Sequence, residues 1–229
     1  MKIIAHRGGM GRAPENSLIA FKQAIEDGAD GIELDVMLTK DQEPIVIHLP
    51  FYSGTISRLT WAELKNHNPS VMHLDDVLNF FQGSRCTVFL EPKRVSAPLI
   101  EKLIAAVRKY KLESRTELIS FFSRRRNIGL AHKLAPNLPC NVISLTPFTN
   151  WIGRAGVVQA SCVFSGWRRY NYYKIFESSI KRRIKQCQEH GIKVGMGIAN
   201  TAEDIRWLKD LGVDLLVTDN VLLAKEILI

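Results

Sequence analysis

The chain has no apolar run of about 18 residues or more, so none of it is expected to cross a membrane as a helix. Its four cysteines, Cys86, Cys140, Cys162 and Cys187, are dispersed and make no Cys-x-x-Cys pair. That argues against zinc ligation and a disulfide framework, and for reduced thiols in a cytoplasmic protein. No internal repeat, linker or low-complexity tract divides the 229 residues, so we expect one domain over 1–229. The early glycines Gly8, Gly9 and Gly11 do not form a dinucleotide fingerprint, because Pro14 stands where the third glycine is needed. The first motif of catalytic type starts at residue 6, which leads us to expect no leader segment. A net charge of +8 favours anionic partners: phosphate esters, nucleic acid or acidic lipid. Zinc-finger, RNA-recognition and basic-zipper signatures are absent, so nucleic acid is not an expected partner. The basic runs at 124–126 and 181–183 fall in expected helices and read as solvated faces.

What is there concentrates in residues 1–50. An apolar strand at 2–6 ends in His6-Arg7-Gly8, and Ala13-Pro14-Glu15-Asn16-Ser17 follows. A second strand, 31–36, reads Gly-Ile-Glu-Leu-Asp-Val. Alternate side chains of a strand share a face, so Glu33 and Asp35 point one way and Ile32, Leu34 and Val36 the other. Paired carboxylates are costly if buried alone, and a hard divalent cation relieves that cost. Their other reading is a solvated strand face. A third strand, 44–48, follows after four residues, a link suited to a hairpin and too short for a parallel crossover. With the turn centred between Asp41 and Gln42, Asp35 is expected opposite His48.

These residues resemble the glycerophosphodiester phosphodiesterase family. Its usual pattern is His-Arg-Gly, Pro-Glu-Asn-Thr, Glu-x-Asp-Val and Val-x-His-Asp. Later stretches agree in order: Leu90-Glu91-Pro92-Lys93, Ile119-Ser120-Phe121, Gly212-Val213-Asp214 and Thr218-Asp219.

The rest of the chain alternates strands and helices. Strands are expected at 87–91, 117–121, 141–145, 162–164, 193–198 and 215–218. Helices are expected at 17–27, 74–81, 97–110, 124–134, 176–190, 202–211 and 222–228. Asn16 is a candidate cap for the first. Residues 49–74 read as irregular apart from a short helix near 60–65. Alternation argues for a parallel sheet, and the length approaches that of a (β/α)8 TIM barrel. Nine strands are one too many, so either 44–48 or 162–164 is expected to lie outside the barrel. Polar residues recur at strand C-terminal ends (His6, Glu33, Asp35, Glu91, Lys93, Asp219), where barrel enzymes place their chemistry. The resemblance also implies a barrel.

Three carboxylates, Glu33, Asp35 and Glu91, make an oxygen-rich set suited to Mg²⁺ or Ca²⁺. The resemblance implies these three as metal ligands. Arg7 and Lys93 are candidates for phosphate binding or for salt bridges within the cluster. Imidazole as a side-chain type titrates near neutrality, so His6 and His48 are the candidates to supply acid and base. The resemblance implies that use, and an attack by the substrate's glycerol hydroxyl through a cyclic phosphate. Which histidine is acid and which is base stays open. Glu15 and Asn16 match the family motif in supporting positions.

Three departures stand out. The family's Asp after the second histidine is Leu49, the insertion after it is abbreviated, and the Trp of a late Trp-Thr-x-Asn is replaced in Gly197-Ile198-Ala199-Asn200. The aromatic stretch 167–173 could supply the lost apolar wall, hold a choline-type cation, or form a loop or oligomer contact. The expected activity is metal-dependent hydrolysis of a glycerophosphodiester to an alcohol and glycerol 3-phosphate. The alternatives are a lysophospholipase D-type hydrolase and a catalytically weak phosphate- or lipid-binding protein. Assembly as a homo-oligomer is compatible with these residues.

Overall fold

The structure, a computed structural model, describes residues 1–48, 53–166 and 170–228. Ten strands occur among them: β1 (Lys2–His6), β2 (Gly31–Leu38), β3 (Pro44–Val46), β4 (Met72–His73), β5 (Thr87–Pro92), β6 (Thr116–Phe121), β7 (Cys140–Ile143), β8 (Cys162–Ser165), β9 (Lys193–Gly197) and β10 (Leu215–Thr218). Eight run parallel in the order β1-β10-β9-β8-β7-β6-β5-β2, and β1 also pairs with β2, which closes the ring. Helices cover it from outside, as a (β/α)8 barrel requires.

The alternation read from sequence explains where side chains go. Ile4, Phe89, Ile119, Phe164 and Leu215 fill the barrel interior. Ile3, Ala5, Ile32, Leu34, Val88 and Leu90 point outward into the layer shared with the helices. Two residues beyond Ile4 and Phe89, inward again, come His6 and Glu91; Glu33 and Asp35 share that phase. Gly31 leaves room below them, since a Cβ there would sit 2.7 Å from the Phe89 ring.

The extra strand is at 44–46, and the stretch at 162–165 is a true stave. β3 returns antiparallel along the end of β2, and β4, unanticipated from sequence, pairs with β3. The expected hairpin register is wrong by one residue. Val36 lies opposite Val46 and Leu38 opposite Pro44, and the Asp35 carbonyl accepts from Ile47 N at 3.0 Å, so Asp35 does not face His48. The turn has three residues between a paired Thr39 and Glu43, with Gln42 at φ 64°. A type I turn closed by a left-handed residue needs that odd count.

The first helix is Leu18–Glu26, and its cap is Ser17, whose hydroxyl accepts from Ala20 N at 3.2 Å. Asn16 is therefore not the cap. Residues 53–73 are more ordered than expected: helices Ser53–Ile56 and Trp61–His67 and strand β4 surround a small core of Met37, Ile45, Ile47, Ile56 and Leu64. Helices Trp151–Val158 and Tyr170–Lys174 are additions to the pattern read from sequence. The departure at Leu49, and Trp167, Arg168 and Arg169 of the aromatic stretch, lie outside the described residues.

Candidate active site

The site sits at the C-terminal ends of β1, β2 and β5. Glu33, Asp35 and Glu91 are buried, and one oxygen from each lies within 4.8 Å of the others. Parallel pairing puts Asp35 beside Glu91 and Glu33 beside His6. Burial first, then repulsion by Asp35 and Glu91, pushes the Glu33 carboxyl well above its usual value. Burial pushes Glu91 up too, opposed by Lys93.

Arg7 and Lys93 bracket the trio. Arg7 Nε lies 2.8 Å from Asp35 Oδ2, and its Nη1 donates to Glu15 Oε2 at 2.9 Å. Lys93 Nζ lies 2.9 Å from both Asp35 Oδ1 and Glu91 Oε1. Burial alone would lower the Lys93 ammonium, but Glu91 and Asp35 hold it above its ordinary value. Glu15 also stands 3.7 Å from His48 Nδ1. His48, then Arg7, draws its carboxyl down to about 2. Glu15 thus bridges Arg7 and the second histidine. Asn16 is buried at φ 55°, and its Nδ2 reaches Asp35 Oδ2 at 3.4 Å. Its Oδ1 has no hydrogen-bond partner among the described residues.

Three further residues join the site: Asp219, Asn200 and Arg124. Asp219, in sequence a polar strand end, has its Oδ1 2.7 Å from His6 Nδ1. Asn200 holds the other oxygen, donating from Nδ2 at 2.6 Å. The late Asn of the motif is thus kept and packed against Asp219, although the Trp three residues before it is replaced by Gly197. Arg124, read as part of a solvated helical run, instead sits in a short turn after β6 and donates from Nη1 to Glu91 Oε1 at 3.2 Å. The signal available was its place three residues past a strand's C-terminal end.

His6 is nine-tenths buried. Burial lowers its pKa below 6.5, with the Asp219 hydrogen bond working against that shift. Nδ1–H donates to Asp219, which leaves Nε2 as the unprotonated nitrogen. His6, Arg7, Glu33, Glu91 and Lys93 line one wall of a cleft of about 640 Å³, counting its open mouth. Ile119, Phe121, Ile143, Leu145, Phe164 and Ile198 make much of the rest. Polar, titratable groups thus converge on one side of an otherwise apolar pocket, the usual form of a small-molecule site.

Sequence comparison identifies what this arrangement belongs to. The model of the glycerophosphoryl diester phosphodiesterase family matches residues 6–223. The chain belongs to that family. Phosphodiester hydrolysis is accordingly its reaction class. The Bacillus subtilis protein YqiK is 30% identical over 95% of this chain and 94% of its own length. A glycerophosphodiester phosphodiesterase of Caldanaerobacter subterraneus is 29% identical over 95% and 93%. Among solved structures, a glycerophosphodiester phosphodiesterase from Parabacteroides distasonis superposes with a TM-score of 0.80 at 23% identity, covering 99% of this chain and 94% of that one. An Oleispira antarctica phosphodiesterase, solved with the product sn-glycerol-3-phosphate, gives 0.83 at 19% identity over 100% and 96%. These structural likenesses bear on the fold.

Proposed function

We propose that the chain hydrolyses a glycerophosphodiester to an alcohol and glycerol 3-phosphate, with His6 as base and His48 as acid. The observation that carries this is the buried carboxylate trio beside an imidazole whose Nδ1 is fixed by Asp219. Glu33, Asp35 and Glu91 would hold Mg²⁺ or Ca²⁺. They fit such an ion: hard oxygen donors, two of them held abnormally high by burial and mutual repulsion, and an unpartnered Asn16 oxygen beside them. Bound there, the cation would act as a Lewis acid on a phosphoryl oxygen.

The chain's own groups do the rest. Arg7 and Lys93 line the cleft and offer positive charge to the phosphate oxygens, while holding the carboxylates in place. Nε2 of His6 takes the proton of the attacking hydroxyl as the new P–O bond forms. His48, oriented by Glu15, gives a proton to the departing alcohol as the old P–O bond breaks, leaving a cyclic phosphate. Water then opens it with the roles reversed: His48 takes the water proton as the new P–O bond forms, and His6 returns its proton to the leaving ring oxygen, giving glycerol 3-phosphate. The four cysteines are buried and unpaired, which fits a reducing, cytoplasmic location. Among the described residues, no helix is long and apolar enough to cross a membrane.

The apolar wall of the cleft favours a second substrate, a lysophospholipid that keeps its acyl chain. The test is release of glycerol 3-phosphate from glycerophosphocholine and glycerophosphoethanolamine, with EDTA, Mg²⁺ or Ca²⁺, on wild type and Glu33→Ala. Metal-dependent release that vanishes in the variant is expected. Silence on both diesters, with choline released from lysophosphatidylcholine, would shift the reading to the lysophospholipid. Silence on all three would leave the binding-protein alternative.

A further inference from the structure

Residues 118–176 contain no Asp or Glu and eight Lys or Arg. The rest of the chain carries twenty-three residues of each sign, so the whole net charge of +8 arises in this quarter. The quarter comprises most of β6, all of β7 and β8, and the loops and helices that follow them. These strands are neighbours in the barrel, so their following loops lie side by side on the face where the catalytic cleft opens. The loops touch. The Arg154 guanidinium lies 4.8 Å from the centre of the Phe122 ring, joining the segments after β6 and β7. Phe148 meets Tyr172 at 6.0 Å and Phe176 at 4.9 Å between ring centres, joining those after β7 and β8.

The surface so made is cationic and apolar at once. Arg125 and Arg126 are exposed. Phe148 is 53% exposed, Tyr172 47% and Ile175 74%. Leu145, itself 38% exposed, also lines the cleft, so the apolar surface runs from this face into the catalytic pocket. Exposed large apolar side chains clustered on one face mark an interaction site. Basic residues flanking aromatic and aliphatic ones are the composition of a surface that lies in the headgroup layer of an anionic membrane.

We propose that this face docks the protein on an anionic lipid bilayer. Phe148, Tyr172 and Ile175 enter the boundary between headgroups and acyl chains. Arg125 and Arg126 lie against lipid phosphates, and the cleft opens toward the surface through Leu145. Nucleic acid would satisfy the arginines, but it offers nothing apolar to Ile175, an aliphatic side chain that cannot stack on a base. Contact with a second copy would bring the Arg125 and Arg126 pairs of two faces together, and the carboxylates that adjoin this face, Glu203 and Asp204, are already engaged by Lys174.

The test is co-sedimentation of the full chain with phosphatidylcholine vesicles, with and without phosphatidylglycerol, at low and high salt. Binding is read without turnover, so its outcome is independent of the reaction proposed above. Wild type is expected to sediment with the phosphatidylglycerol vesicles at low salt, to be released by high salt, and to ignore pure phosphatidylcholine. Phe148→Ser combined with Ile175→Ser, and separately Arg125→Glu combined with Arg126→Glu, should each weaken partitioning by about tenfold or more. Turnover of a water-soluble diester and the circular dichroism spectrum should stay as in wild type, showing that the variants fold. The proposal is overturned if wild type stays in the supernatant with anionic vesicles at low salt, or if either double variant partitions like wild type. It is also overturned if this face binds duplex DNA with no loss in the apolar variant, or forms a dimer that the variant abolishes.

Discussion

Asp219 determines which nitrogen of His6 faces the cleft. Its carboxylate accepts from Nδ1, so Nε2 is the nitrogen that can take a proton. The pair is separated by 213 positions in sequence and meets only because β1 closes on β10. Because burial lowers the His6 pKa, the base is neutral down to below pH 6.5. The rate should therefore climb with pH and level off below that value. Asp219→Asn removes the partner that opposes the lowering, so the acidic limb of kcat/KM should move to still lower pH. The freed imidazole also loses its fixed tautomer, and kcat should fall by about 10²-fold. A pH profile that moves upward would contradict the role. Arg124 gives a second prediction. Its link to Glu91 is charge-assisted and partly exposed, so Arg124→Gln should cost about tenfold in kcat/KM, near 1.4 kcal/mol, with little change in thermal midpoint. Steady-state kinetics beside a melting curve would separate that from a folding defect. At this scale the sequence was informative where chemistry follows a strand's period of two. Alternation put Glu33 with Asp35 on one strand face and left a solvated face as the other reading; it was the family resemblance that joined Glu91 to them as a ligand set. Arg124 could not be read either way, because three consecutive arginines at a helix start look solvated until barrel curvature brings β6 alongside Glu91.

At the scale of elements, the misread hairpin shows what a turn decides. Its residues 40–42 carry no glycine, and Gln42 adopts the left-handed conformation at φ 64°. Thr39 locks the loop: its hydroxyl accepts from Glu43 N at 2.9 Å and donates to Asp41 at 2.6 Å. Sequence alone favoured an even count because nothing at Gln42 advertised a positive φ. Valine there, branched at Cβ, should lose about 1–2 kcal/mol, and glycine should be neutral or slightly stabilising. Urea denaturation of Gln42→Val and Gln42→Gly would check both signs; equal midpoints would show that the turn does not hold the register. The same lesson applies to Asn16 and Ser17. Both residues cap helices well, so composition could not choose between them. Tertiary geometry chose, because Asn16 is drawn toward Asp35 and leaves Ser17 to receive the Ala20 amide.

At the scale of the molecule, the barrel concentrates acid where folding alone would avoid it. Strand alternation and helix spacing made the architecture legible early. The eight-strand count stayed open because a short antiparallel excursion at 44–46 mimics a stave and the true stave at 162–165 is only four residues long. What one sequence cannot show is the energetic consequence of closing the ring, which forces three carboxylates within 4.8 Å. Glu33 has its folded-state pKa raised, so the folded protein holds its proton more tightly than the unfolded chain does. The sign follows by linkage: without metal this group's contribution is favourable at low pH and is lost as pH rises through the folded value. A divalent cation competes with that proton. Metal should therefore stabilise more at pH 8 than at pH 5. At about 100 times Kd the gain is roughly 2.7 kcal/mol, a rise of about 5–10 °C in thermal midpoint for a chain of this size. Glu33→Gln should raise the metal-free midpoint at pH 8, by removing the repulsion, and abolish the metal-induced shift. Melting curves with EDTA, Mg²⁺ and Ca²⁺ at both pH values read all of this without substrate. A metal response equal at both pH values, or one surviving in Glu33→Gln, would mean that the cation binds elsewhere and that the trio is held together by Lys93 and Arg7 alone.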